Sequence, residues 1–191
     1  ISTSIAEKEN RIELSNKQVN DLLGGGVVKG SVILLSGEPG IGKSTLLLQL
    51  AEAVNQNLKV LYVSGEESLQ QVALRAKRLK ISNDNIHLVN SNSTDQIINA
   101  IESNQYNLVI VDSIQTISLE ALHSAAGNVS QITNSTNLII RAAKSSLTSV
   151  ILVGHVTKEG YIAGPKILEH LVDVVLHLEG DKFSGFETLS A

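Results

Sequence analysis

The chain has 191 residues, 42% of them hydrophobic, which is enough to bury a substantial core within one domain. A net charge of −4 excludes a broadly basic surface that would hold nucleic acid by itself, so any such contact must come from a local patch or from assembled subunits. With no cysteine, disulfides and cysteine-based zinc sites are excluded, and no apolar run is long enough for a membrane span.

Residues 1–14 are polar and unpatterned and read as a leader or edge segment, with one domain over 15–191. Ser15 is placed to cap a short helix, NKQVNDLL, which Gly24-Gly25-Gly26 then stops and turns toward a strand at 32–36. That strand runs into GEPGIGKST and a leucine-rich helix from 44 to about 57. Gly37, Gly42, Lys43 and Ser44 fill the fixed positions of G-x-x-x-x-G-K-[ST]. A strand delivers this loop and a helix leaves it, so successive backbone N–H groups and the positive helix end converge on one place, which suits the phosphates of a nucleoside triphosphate. Gly37, Glu38, Pro39, Gly40, Ile41, Gly42, Lys43, Ser44 and Thr45 are therefore the nucleotide-binding candidates. Lys43 is expected on the β and γ phosphates, the Ser44 hydroxyl on Mg²⁺, and Thr45 near the α phosphate. ATP or ADP with Mg²⁺ is the implied ligand, and the cytoplasm, where ATP is found, the expected compartment.

Residues 59–63 form a short apolar strand followed by SGEES, and a helix over 68–80 carries Arg75, Lys77, Arg78 and Lys80, a charge run read as a solvated face. A strand at 86–89, a helix capped by Ser93 or Thr94 and running through 103, and the strand LVIVD at 108–112 come next. After a long connection at 117–130, a helix over 131–147 leads to the strand SVILV at 149–153, the loop GHVTKEGYIAG, a short helix from Pro165 and an alternating strand at 172–178. Continuous apolar strands alternating with helices predict an α/β fold, a mostly parallel, doubly wound sheet with helices on both faces.

Three further groups could carry chemistry. Asp112 ends an apolar strand, where a carboxylate can hold Mg²⁺ through water. Hydrolysis also needs a group to orient or deprotonate the attacking water, worth roughly 10²–10⁴ in rate. Glu66 and Glu67 follow the strand 59–63, which is expected near 108–112, and Glu66 is favoured. His155 closes the strand 149–153 and could sense the γ phosphate if that strand flanks the phosphate loop. The other histidines, His87, His123, His170 and His177, show no metal-ligand spacing, and neither H-E-x-x-H nor G-x-S-x-G occurs. On residues alone the chain is a nucleotide hydrolase, a small-molecule kinase of the phosphate-loop type, or a nucleotide-responsive oligomerisation scaffold.

The motifs GEPGIGKSTLLLQ, YVSGEES, VIVDSIQT, GNVSQI, VGHVTKEG and IAGPKILEHLVD, in this order, resemble the RecA-like ATPase core of the bacterial RadA (Sms) family of DNA repair proteins, over about 14–179. The resemblance implies a core strand order of 5-1-4-3-2 and a DNA-dependent, helicase-like ATPase. It further implies hexameric rings that act on single-stranded or branched DNA in branch migration, with a recombinase as partner. It places Lys43, Ser44 and Thr45 on the phosphates and Mg²⁺, Glu66 on the attacking water, Asp112 on the metal and His155 at a sensor position. Asn128, Lys158 and Lys166 would fall in pore-facing DNA loops. Family members are expected to add a four-cysteine zinc finger, a K-N-R-F-G motif and a Lon-protease-like domain. None of these lies within the 191 residues, so the chain is expected to be a fragment that binds nucleotide yet hydrolyses it poorly and does not close a ring.

Overall fold

The structure is a computed structural model, and it describes residues 10–155, 163–180 and 187–191. A small hairpin-like pair opens it: β1 (Arg11–Ile12) lies antiparallel to β2 (Val27–Val28), with α1 (Lys17–Leu22) between them. The cap of α1 is Asn16 rather than Ser15, its side chain accepting from the Val19 N–H at 3.2 Å. The Ser15 N–H instead donates to Ala53, which ties this segment to the end of the next helix. Ile12 and Leu14 are buried in the core, so residues 11–14 pack with the domain.

The remaining strands form one seven-stranded sheet. In chain order they are β3 (Val32–Gly37), β4 (Val60–Ser64), β5 (Ile86–Asn90), β6 (Leu108–Asp112), β7 (Ser149–His155), β8 (Val174–Gly180) and β9 (Glu187–Ser190), arranged as β5-β4-β6-β7-β3-β8-β9. Every pairing is parallel except β8 with β9. Counted along the chain from the phosphate-loop strand, this order is 3-2-4-5-1-6-7, which does not contain the expected 5-1-4-3-2. The reason lies in the pairing. The strand 149–155 hydrogen-bonds on both edges, to β6 and to β3, and so fills the gap between them, while β4 rather than β5 borders β6.

Side chains alternate between the two faces of each strand. Ile33 and Leu35 of β3 join Tyr62, Ile110 and Val153 under α2 (Lys43–Ala53) and α3 (Leu69–Arg78). Val32 and Leu34 join Val63, Val109 and Leu152 under α4 (Thr94–Glu102) and α5 (Val129–Ser146). The short α6 (Ala163–Glu169) joins β7 to β8 and contributes Leu168 to that second cluster. With both faces covered, the apolar, non-alternating strands are explained. The helix after the phosphate loop ends at Ala53, earlier than expected, because Val54 turns extended and bridges Leu14. Ser93 is the cap of α4, Ser68 forms a capping box with Gln71 on α3, and Asn128 caps α5. No helix among the described residues is long and apolar enough to cross a membrane.

Candidate active site

Parallel strands bring their carboxyl ends to one rim, and the sheet register decides what meets there. Gly37 stands opposite His155, and Ser64 opposite Asp112. The ends of β3, β7, β6 and β4 therefore lie side by side, with His155 between the phosphate loop and Asp112. The sequence expectations that 59–63 borders 108–112 and that 149–153 flanks the loop agree with this arrangement.

The phosphate loop needs its glycines for stated reasons. Gly42, at φ 106°, is the residue before α2 and adopts a left-handed conformation that side chains disfavour. Gly37 has no room for a side chain, since a Cβ there would come 2.6 Å from the Leu178 carbonyl oxygen of β8. No side chain among the described residues caps the N-terminus of α2, which leaves its first-turn N–H groups a fit for phosphate oxygens. Lys43 is 4% exposed and its Nζ donates to the carbonyls of Gly37 at 2.8 Å and Glu38 at 2.9 Å, folding it back across its own loop. Burial holds the Lys43 pKa below the ordinary lysine value, and the charges of Asp112 and Glu66 oppose that shift. A buried ammonium facing two carboxylates suits an anionic or metal-bearing ligand.

Across the loop stands a carboxylate cluster. Glu66, Asp112 and His155 each offer a ligand atom, all lying within 4.8 Å of one another. The Glu66 carboxylate accepts a hydrogen bond from the Ser113 hydroxyl, and its Oε1 is 2.8 Å from His155 Nε2. The hydrogen bond with His155 is the largest influence on Glu66 and, with that from Ser113, holds its pKa below the ordinary carboxylate value against the effect of burial. Asp112 is 6% exposed, and its Oδ2 accepts from the Tyr62 hydroxyl at 2.7 Å. Burial first, then the Asp112 charge, push the Tyr62 pKa up, so the phenol stays a donor. This arrangement offers a cation the Asp112 carboxylate, and offers a water a carboxylate base at Glu66.

The two adjacent glutamates separate. Glu66 turns into the cluster, whereas Glu67 pairs with Arg75 Nη2 at 2.8 Å. Arg75 is thus not part of a purely solvated face, as the charge run had implied. Eight residues after Glu67, it lies two helical turns into α3 and reaches back over the capped helix start.

Asn128 caps α5, its side chain accepting from the Ser130 N–H at 2.9 Å, which is a local structural task. Lys166 is exposed on α6, and Lys158 lies outside the described residues. Sequence reasoning missed Tyr62, Ser113 and Arg75. The available signal was the hydroxyl of Tyr62 inside a strand otherwise apolar, because a buried phenol requires a partner.

A family model described as an AAA domain matches residues 4–161. Among curated relatives, the DNA repair protein RadA of Listeria monocytogenes is 46% identical over 192 residues, covering 100% of this chain and 42% of the relative. The DNA repair protein RadA of Rickettsia typhi is 50% identical over 182 residues, covering 94% of this chain and 41% of the relative. The chain therefore spans about two-fifths of the length of these relatives. Among solved structures, the flagellar accessory protein FlaH from Methanocaldococcus jannaschii is similar with a TM-score of 0.70 at 20% identity, covering 94% of this chain and 84% of that one, a likeness of fold.

Proposed function

Since the chain belongs to the AAA domain family as a RadA-like ATPase core, we propose that it hydrolyses ATP and that the parent protein uses the energy on DNA during repair. The observation that carries the catalytic part is the cluster of Glu66, Asp112 and His155 beside a phosphate loop whose Lys43 is buried. Lys43 and the N–H groups opening α2 bind and neutralise the β and γ phosphates. Ser44 and Asp112 hold Mg²⁺, Asp112 through water, and the cation would supply charge stabilisation to the phosphoryl oxygens. Glu66, kept ionised by His155 and Ser113, orients the attacking water and takes its proton. A γ phosphate entering this site would compete for the His155 hydrogen bond to Glu66, which supports His155 as the sensor of nucleotide state.

The DNA part rests on the relatives' names and on the resemblance. We assign to the parent protein single-stranded or branched DNA as substrate, branch migration as the work done, a hexameric ring as the working form, and a recombinase as partner. Asn128, Lys158 and Lys166 are the proposed DNA contacts, and the cytoplasm is the proposed compartment. The test is phosphate release by the full-length protein with and without single-stranded DNA, together with strand exchange on a branched DNA. Stimulation by the single strand is expected, and equal turnover in both conditions would count against the DNA reading. Transfer of the γ phosphate to a small acceptor, found by product analysis, would identify a kinase instead.

A further inference from the structure

Tyr62 lies in the middle of β4 and is 1% exposed, yet its ring alone does not explain its presence in the core. A phenylalanine would fill the same space among Val72, Leu47 and Ile110 without burying a hydroxyl. The hydroxyl donates to Asp112 Oδ2 at 2.7 Å, at the end of β6. Asp112 is one of the two side chains assigned above to Mg²⁺, and the present inference rests on that assignment. The hydrogen bond is directional: with Oδ2 accepting from the phenol, Oδ1 is the oxygen open to a metal-bound water.

We propose that Tyr62 is a positioning residue for the metal site. Its hydroxyl holds Asp112 Oδ2, and so fixes which oxygen of the β6 carboxylate stays available to the cation. Tyr62 lies on β4, which pairs with β6 and also leads to Glu66, so the metal-site carboxylate and the water-activating carboxylate are referenced to one rigid element. It takes no part in bond making and does not touch the nucleotide.

The test measures binding rather than turnover. In the full-length protein, a fluorescent ATP analogue is titrated with and without Mg²⁺ in wild type, Tyr62→Phe, Asp112→Asn and the double variant. Tyr62→Phe is expected to leave metal-free nucleotide affinity within about twofold, and to raise the half-saturating Mg²⁺ concentration about tenfold, the consequence of losing one hydrogen bond to a charged ligand. Asp112→Asn should shift the Mg²⁺ curve at least as far, and the double variant no further than Asp112→Asn alone. A wild-type Mg²⁺ curve for Tyr62→Phe beside a displaced one for Asp112→Asn would overturn the positioning role. Loss of metal-free binding in Tyr62→Phe would overturn it too, since the hydroxyl would then serve the fold. An unmoved curve for Asp112→Asn would instead refute the metal assignment on which that role stands.

Discussion

Exchanging each of the adjacent glutamates for glutamine tests the site most directly, because the two side chains differ by one position in sequence and by their entire environment. Glu66 accepts from Ser113 and pairs with His155 at 2.8 Å, while Glu67 is held by Arg75 at 2.8 Å with side-chain exposures of 30% and 23%. Glu66→Gln keeps the size and most hydrogen bonds but removes the base, so turnover should fall by roughly 10²–10⁴, about 3–5 kcal/mol of transition-state stabilisation. Glu67→Gln removes one partly exposed ion pair, worth no more than about 1 kcal/mol, and turnover should stay within about fivefold of wild type. The assay is steady-state phosphate release by the full-length protein at saturating ATP and Mg²⁺ with single-stranded DNA, beside equilibrium binding of an ATP analogue. Binding should survive in both variants. Equal losses of turnover in both variants, or a Glu66→Gln enzyme within threefold of wild type, would refute the assignment.

The pH profile follows from the same geometry. The hydrogen bond from His155 is the main reason Glu66 has a lowered pKa in the nucleotide-free protein, so the acid limb of kcat/KM should lie below the ordinary glutamate value of about 4.3. A lowered folded pKa also means that the stability Glu66 contributes is present above the unfolded value and is lost as pH falls through the folded one. His155→Ala should move the acid limb of the residual activity upward, which a normalised pH–rate curve would show. Lys43→Ala should weaken ATP binding at least tenfold, measured by calorimetry. It leaves the carbonyls of Gly37 and Glu38 without that donor, so the Tm should drop by no more than about 10 °C. Gly37→Ala should be worse for the fold than for the ligand: its Cβ would meet the Leu178 carbonyl at 2.6 Å, so β3 and β8 must part and the Tm should fall about 4–8 °C. Asn128→Ala should cost about 1 kcal/mol in chemical denaturation as a lost cap, and Asn128→Asp should restore it.

Much of the architecture was legible because its signals are local. Apolar runs such as 108–112, the glycine–lysine–serine loop and the Ser93 cap depend on residues within a few positions of one another, and the structure places a strand, a helix start and a helix cap there. The element that was missed depends on a distant partner. The two-residue β1 exists only because Val27 and Val28 come back to pair with it. The strand order was set by the same kind of distant choice, the slot that β7 takes between β6 and β3.

The chain by itself determined that a phosphate cradle sits between a strand and a helix, and that carboxylates and a histidine end neighbouring apolar strands. Backbone propensity and side-chain chemistry suffice for that much. Only the tertiary structure decided that Glu66 rather than Glu67 turns toward Asp112, that Arg75 restrains the other glutamate, and that a tyrosine buried in β4 holds the Asp112 carboxylate. The physical reason is that a side chain's role at such a site is set by hydrogen bonds between residues far apart in the chain, such as Tyr62 to Asp112 and His155 to Glu66, and these form only once the sheet register is fixed.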